Sequence, residues 1–409
     1  MEALQRLTHA IDDIRSDYPA YGSSITVVED GETQFFSASG FANVEHQVPI
    51  TEDTVFDLAS IAKTFTGYAI AQLEESGALS TDDDIRTHLP NFPDLGHDIT
   101  IAHLLHHTSG IKNWTTLLWR MNWPYGDEIS YDFLLRLAYA QTELDFVPGE
   151  RYEYSNTGYV LLVAIIEKVT GQDFADWMDE RVFTPLSMDK SFFKTESNLL
   201  TPNMAQAYYF GNEGQALVDS NRTTALGSSS LFSTAPDMVK WMNHLMNPGE
   251  SQQPVVERMF TTRPLNDGSE NNYAYGIVID EFEGEPFINH SGSWASYTSH
   301  MALMPERNSA LFLAQNFRAN TQAIINLYAE TLIAGDIDTD SLIASNSGDV
   351  TDQEEPVQLG DPSQFEGTFR LGEAWFVNIR SSGDGLTIQA NGERAFPMTP
   401  VEEDLFRVS

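Results

Sequence analysis

The 409-residue sequence predicts an α+β fold: an antiparallel sheet flanked by helices, a mainly helical lobe beside it, and a small C-terminal β appendix. Three observations predict it. Strand patterns stand near both ends of the first 344 residues, and apolar runs of helical period fill the middle. A stretch rich in Ser, Gly, Asp, Glu and Pro then precedes short alternating runs. Bringing the two sets of strands together closes one sheet and leaves the middle as a lobe. The division expected is a main unit over 1–344, a linker over 345–361 and a β unit over 362–409.

The elements follow in order. Met1 to Asp17 alternates apolar and charged residues as a surface helix does, without the basic end and apolar stretch of a signal peptide. Ile25–Val28 and Gln34–Ala38 read as strands joined through Glu29, Asp30, Gly31 and Glu32, a hairpin signature. Ser60 to Ser76 turns helical, with Ile61, Phe65, Tyr68, Ala69 and Leu73 apolar on its first turns, and Gly77 supplies a stop. From Ile99 to Met246 the pattern is mostly helical, including Thr157–Val169 closed by Gly171. Strands return at Tyr275–Ile279, Tyr297–Met304 and Ala310–Gln315, the last two joined by Pro305, Glu306, Arg307 and Asn308; Gln322–Ala334 is a helix ended by Gly335. Trp375, Val377, Ile379 and Leu386, Ile388 alternate as strands of the appendix. The longest apolar run, Tyr159–Ile166, falls far short of the ~20 residues of a membrane span, so no membrane insertion is expected.

Composition excludes several functions. Sixty acidic against 22 basic residues leave a net charge of −38, a field that repels nucleic acids and anionic membranes. The surface reads as one suited to salty or cold water, the alternative being recruitment of a basic partner. Without cysteine there are no thiol nucleophiles, iron–sulfur clusters or cysteine zinc sites. The expectation is a soluble protein without a signal peptide, cytoplasmic by default and periplasmic or secreted if a leader was removed.

The chemistry centres on Ser60-Ile61-Ala62-Lys63. On a helix, residues three apart share a face, which brings the Lys63 amine to the Ser60 hydroxyl. Desolvation disfavours the ammonium form and lets the amine accept the serine proton. The helix N-terminus adds N–H groups for an oxyanion. Read alone, Ser60 is equally well a helix cap. Lysine is scarce in this chain, however, and Lys63 falls in the most apolar helix. Downstream, Tyr152-Glu153-Tyr154-Ser155-Asn156 precedes a helix, and His290-Ser291-Gly292 follows Phe287 and Ile288 and precedes a strand. Tyr154 offers a phenol that relays a proton, Asn156 an amide for a substrate carbonyl, and His290 a group that titrates near neutrality. A packed aromatic, a helix cap and a satisfied core histidine are the plain alternatives for these three.

In this ordered set the sequence resembles the serine hydrolases built like class C β-lactamases and D,D-peptidases, which also include family VIII carboxylesterases and D-amino-acid peptidases. Ser60/Lys63, Tyr154/Asn156 and His290/Gly292 match its Ser-x-x-Lys, Tyr-x-Asn and His-x-Gly signatures. Leu104-Leu105-His106-His107-Thr108-Ser109-Gly110, Pro148-Gly149-Glu150 and Asn156-Thr157-Gly158-Tyr159 extend the likeness over about Gly22–Leu332. The resemblance implies a β-lactamase/transpeptidase-like fold and no cofactor. It implies Ser60 as acylated nucleophile, Lys63 as its proton acceptor, Tyr154 as base and acid toward water and leaving group, and Asn156 holding the acyl side. His290, Ser291, Gly292 and Ser293 would lie on the sheet's edge strand, with the N–H groups of Ser60 and Ser293 as oxyanion hole. It also suggests that 362–409 is part of a small lipocalin-like barrel, leaning on its own hydrolase unit through Trp375, Phe376 and Phe406 or on a second subunit.

Classical β-lactamases carry lysine where His290 stands. A partly charged histidine beside a net charge of −38 weakens the case for anionic β-lactams and favours neutral or cationic esters and peptide amides, D-configured ones included. The rival function is a penicillin or peptidoglycan-fragment sensor that acylates without turnover. His103, His106 and His107 have the spacing of a metal pair but no acidic ligand in the same turn, and the resemblance marks His107–Gly110 as a structural turn. Trp114, Trp119, Trp123 and Tyr125 read as lobe packing or as an aromatic wall over the site. Asp82, Asp83 and Asp84 read as a solvated cap.

Overall fold

A computed structural model describes residues 22–318 apart from 124–125, 211–214 and 221, together with 324–326, 328–329 and five strand segments between 367 and 408. The helix expected over Met1–Asp17 and the linker over 345–361 lie outside the described residues.

Strands β1 (Ser23–Glu29) and β2 (Glu32–Ser39) form the expected hairpin. Its turn residues Asp30 and Gly31 both have positive φ, 51° and 81°, the backbone that a two-residue hairpin turn demands. Helix α1 (Ala62–Glu75) and helix α2 (Asn156–Thr170) are buried for most of their length, and Gly171 ends α2 in the left-handed region. Helix α3 (Ala235–Met246) packs on α1, with the Trp241 ring stacked 4.1 Å from that of Phe65. Strands β3 (Val278–Phe282), β4 (Glu285–Trp294), β5 (Tyr297–Met304) and β6 (Ser309–Gln315) return to the first hairpin. The result is one antiparallel six-stranded sheet in the order β3-β4-β5-β6-β1-β2, with Val28 opposite Ala310 and Ile25 opposite Leu313 at the closure.

The central strands β5, β6 and β1 are buried on both faces. Val28, Met301, Leu303, Ala310 and Phe312 join the main core with α1 and α2. The opposite face, with Ile25, Val27, Ala302, Leu311 and Leu313, packs on Ile324, Ile325, Tyr328 and Ala329. These last residues fall in the described part of the helix expected over Gln322–Ala334, where 324–326 and 328–329 are helical.

Several expectations need correction. The segment read as a strand from Tyr275 begins at Val278, because Ala274–Ile277 forms a turn, with the Ala274 N–H on the Ile277 carbonyl at 2.8 Å. Gly276, at φ 78°, presses there against α1, where a Cβ would lie 2.1 Å from the Lys63 carbonyl oxygen. His290, Ser291 and Gly292 do not precede a strand; they lie within β4. Nor is β4 the edge strand, since β3 lies outside it. β3 pairs only with Glu285–Asn289, however, so His290–Trp294 runs past the end of its outer neighbour. The middle region is less helical than expected: Phe56–Asp57, Phe192–Phe193 and Leu231–Ser233 form a small sheet whose strands are too short for periodicity to show.

The appendix contains β7 (Gly367–Leu371), β8 (Trp375–Ser382), β9 (Gly385–Ala390), β10 (Phe396–Glu402) and β11 (Leu405–Val408), paired in sequence order as an antiparallel meander. The side chains of Trp375, Phe376 and Phe406 lie outside the described set.

Candidate active site

Ser60 sits in a single 3-10 turn, Ala59–Ile61, immediately before α1, and its side chain caps no helix. The turn is held from three sides. The Ala59 N–H donates to Asp57 Oδ1 at 2.9 Å, which fixes Ala59 at a left-handed φ of 47°. Leu58 is tied to the small sheet by its N–H on the Leu231 carbonyl, and its own carbonyl accepts from Ser299 Oγ at 2.8 Å. Strand β4 docks on the same carbonyl, for a Cβ at Gly292 would fall 2.2 Å from it. Gly292 is therefore required by close backbone approach.

Lys63 is fully buried, and its Nζ lies 3.1 Å from Ser60 Oγ, 2.8 Å from Asn156 Oδ1 and 2.7 Å from the Ser228 carbonyl oxygen. Burial holds the amine well below the ordinary lysine range. A neutral amine has two N–H groups and one lone pair. The Asn156 and Ser228 oxygens can only accept, so they take the two N–H groups, and the lone pair is left for the Ser60 hydroxyl, which can donate.

Tyr154 faces the same pair, with its ring centroid 4.9 Å from Lys63 Nζ. Burial raises its phenol well above the usual value, and hydrogen bonds with Ser60 and Tyr273 only partly offset that. Asn156 is the first residue of α2; its Nδ2 donates to Asn113 Oδ1 at 3.4 Å, which leaves its own Oδ1 facing Lys63.

His290 joins them from β4, its ring centroid 6.5 Å from that of Tyr154. Its Nδ1–H donates to the Ser291 carbonyl at 2.7 Å, which leaves Nε2 as an acceptor for the Tyr273 hydroxyl at 2.8 Å. Burial above all pushes its pKa down to about 3. The expectation of a partly charged histidine is thus corrected: the ring is neutral, and both nitrogens are used, as in a satisfied core histidine. Ser291 and Ser293 alternate with it on the exposed side of β4, opposite His300 and Thr298.

A family model described as Beta-lactamase matches residues 7–334. The chain belongs to the β-lactamase family. Within that family it is 25% identical to penicillin-binding protein 4* of Bacillus subtilis over 94% of this chain and 87% of that one. It is also 25% identical to a D-aminopeptidase of Gluconobacter oxydans, over 80% of this chain and 62% of that longer protein. Among solved structures, the octameric penicillin-binding protein homologue from Pyrococcus abyssi superposes with a TM-score of 0.75 at 26% identity, covering 99% of this chain and 93% of that one. The D-amino acid amidase of Ochrobactrum anthropi shares the fold, with a TM-score of 0.69 at 22% identity over 82% of this chain and 99% of that one. The family and these neighbours are serine hydrolases that include D-aminopeptidases, D-amino acid amidases and penicillin-binding proteins.

Motif reading missed Tyr273, Asn113 and Ser228 because each acts on a motif residue from a distant loop. The three histidines that have the spacing of a metal pair diverge. His103 Nδ1 accepts from the Thr100 N–H, His106 Nδ1 donates to the Tyr273 carbonyl, and His107 Nδ1 accepts from the Ser155 N–H. Trp114 packs with Leu118, Leu134 and Val160 in the lobe, and its ring meets that of Trp294 at 5.4 Å, beside Ser293; Tyr125 lies outside the described residues. Asp84 caps the short helix Ile85–His88, Asp83 pairs with His88 and Asp82 with Arg263, as befits a solvated cap.

Proposed function

We propose that this β-lactamase family member hydrolyses neutral ester or peptide-amide substrates, D-aminoacyl ones included, through an acyl-enzyme on Ser60. One observation carries the reading: buried Lys63 has no carboxylate among its contacts in the described residues, and its two acceptor contacts turn its lone pair toward Ser60. Lys63 takes the hydroxyl proton as Ser60 attacks the substrate carbonyl. The carbonyl oxygen, which gains charge, is received by the N–H groups of Ser60 and Ser293. Tyr154, kept as a phenol by burial, passes a proton from Lys63 to the leaving group, and the reverse relay activates water for deacylation. Asn156 both orients Lys63 and meets the acyl side of the substrate.

The choice of substrate follows from His290. A neutral ring whose nitrogens are occupied by Ser291 and Tyr273 supplies no cation for a carboxylate, so β-lactam hydrolysis is weak at most. The D-aminopeptidase relative and the D-amino acid amidase fold supply the amide side of the proposal. The catalytic unit would span 1–344, joined through 345–361 to a β unit over 362–409.

The test is labelling with a fluorophosphonate, located by mass spectrometry, alongside a rate screen of p-nitrophenyl esters, D-aminoacyl p-nitroanilides and a chromogenic cephalosporin. The expected adduct is on Ser60, absent in Ser60→Ala, with turnover of esters or D-aminoacyl amides above that of the cephalosporin. An adduct on another serine would overturn the assignment, and a burst without a steady state on every substrate would replace a hydrolase with a sensor.

A further inference from the structure

The segment carrying Tyr154 and Asn156 is laced to the loop His107–Asn113. Ser155 Oγ donates to the Ile111 carbonyl at 3.0 Å and Thr157 Oγ1 to the Lys112 carbonyl at 2.8 Å. At the other end His107 supplies both contacts that flank Tyr154. Its carbonyl accepts the Glu153 N–H at 2.8 Å, and its ring Nδ1 accepts the Ser155 N–H at 3.1 Å. Its ring also lies against the Tyr154 ring, with centroids 4.2 Å apart, and against Tyr273 at 4.4 Å.

We propose that His107 is a positioning residue for Tyr154, a fixed clamp that straddles it through the peptide groups on either side and holds its phenol over Ser60 and Lys63. The inference rests on the reading of Tyr154 as the proton carrier. One residue can reach both peptide groups because His107 sits at φ 56°, a left-handed backbone that histidine and asparagine adopt more readily than most side chains. With Nδ1 accepting, the ring proton sits on Nε2, which is buried and has no hydrogen-bond partner among the described residues. The ring itself is packed among those of Tyr152, Tyr154, Tyr159 and Tyr273. Burial above all lowers the pKa of the ring well below the ordinary histidine value, which favours the neutral form that the Nδ1 contact requires.

The test compares His107→Asn, His107→Gly and His107→Gln in the full chain. Asparagine and glycine both tolerate the left-handed backbone, but only asparagine places an acceptor, Oδ1, where Nδ1 stands; glutamine carries its acceptor one bond further out. His107→Gly and His107→Gln should lose about 100-fold in kcat with little change in KM, the scale of a misplaced catalytic group, and His107→Asn should recover most of it. Hydrogen exchange of the peptide spanning Glu153–Ser155 gives a readout independent of turnover: protected in wild type and His107→Asn, fast in His107→Gly and His107→Gln. Equal protection or equal kcat in the asparagine and glutamine variants would overturn the clamp, and this pair suffices if the glycine variant does not fold. Lost protection with unchanged kcat would instead refute the role given to Tyr154.

Discussion

Lys63 and His290 are two buried bases that both face the Tyr154 ring, and their difference shows what burial does and does not decide. Desolvation drives both toward neutrality, the lysine well below its usual range and the histidine to about 3. A neutral base is useful only if its lone pair is free for the reacting proton. Around Lys63 two acceptor-only oxygens consume the N–H groups and turn the lone pair to Ser60. Around His290 the Ser291 carbonyl takes the N–H, and the lone pair is spent on the Tyr273 hydroxyl. Burial supplies the basicity, and the pattern of donors and acceptors decides where it is spent. His300 extends the series: it is buried on β5, neither ring nitrogen has a partner among the described residues, and its pKa is pushed down to about 4.

The hardest test of this contrast is at Lys63. Lys63→Ala should cost on the order of 3 kcal/mol or more of transition-state stabilisation, because an unactivated serine is a poor nucleophile near neutrality. Lys63→Arg should not rescue it, since guanidinium has no lone pair to offer. Steady-state rates on the best ester check both, and an arginine variant with near-normal kcat would reduce Lys63 to an electrostatic role.

At His300 the effect is on stability. A histidine whose folded pKa is depressed leaves the unfolded chain binding more protons between about 6.5 and about 4. Its neutral, buried state is fully tolerated above 6.5 and costs increasing stability as pH falls through that window. His300→Leu removes the penalty, so at pH 5 the variant should gain about 2 kcal/mol over its difference at pH 8. Denaturant unfolding at the two pH values measures it, and a pH-independent difference would show that His300 has found a partner.

Tyr273→Phe frees the His290 lone pair without opening a cavity. A buried acceptor left unpaired costs about 1–3 kcal/mol of stability, read as a lower melting temperature. The variant sharpens the comparison on the functional side too, because the freed Nε2 lone pair can take up a proton and, as an N–H, donate to a carboxylate, which the neutral ring cannot do. Relative activity on the cephalosporin should therefore rise, and an unchanged substrate ratio would separate His290 from substrate choice.

The smallest effect is expected at the nucleophile turn. Ala59 holds φ 47° through the Asp57 contact, a backbone that glycine adopts without strain. Ala59→Gly should change stability by about 1 kcal/mol or less, strain relief being opposed by added freedom in the unfolded chain. Because Asp57, Leu231 and Ser299 still hold the turn, kcat should stay close to wild type. A large loss of kcat would mean that the side chain of Ala59 itself locks Ser60 against Lys63.

How much of this was legible before any coordinates is clear from particular residues. The β1–β2 hairpin, α1, α2 and the β5–β6 pair were visible because their signals are local: two turn residues that accept positive φ, an apolar period of 3.6, a terminal glycine. The juxtaposition of Ser60 with Lys63 was visible for the same reason, as three residues on one turn. Phe56–Asp57 and Leu231–Ser233 were not, since two- and three-residue strands carry no period. The outer position of β3 was missed because pairing order is a long-range property.

The sequence by itself determined the fold class and the motif residues Ser60, Lys63, Tyr154, Asn156 and His290, since propensity and spacing act within a few residues of the chain. Only the tertiary structure decided which dipoles and rings surround them. The Ser228 carbonyl, the Asn113 amide, the Tyr273 hydroxyl and the His107 ring reach the cleft from loops far apart in sequence. A buried group's pKa and the direction of its lone pair depend on which dipoles surround it in space, and no local pattern of residues encodes that neighbourhood.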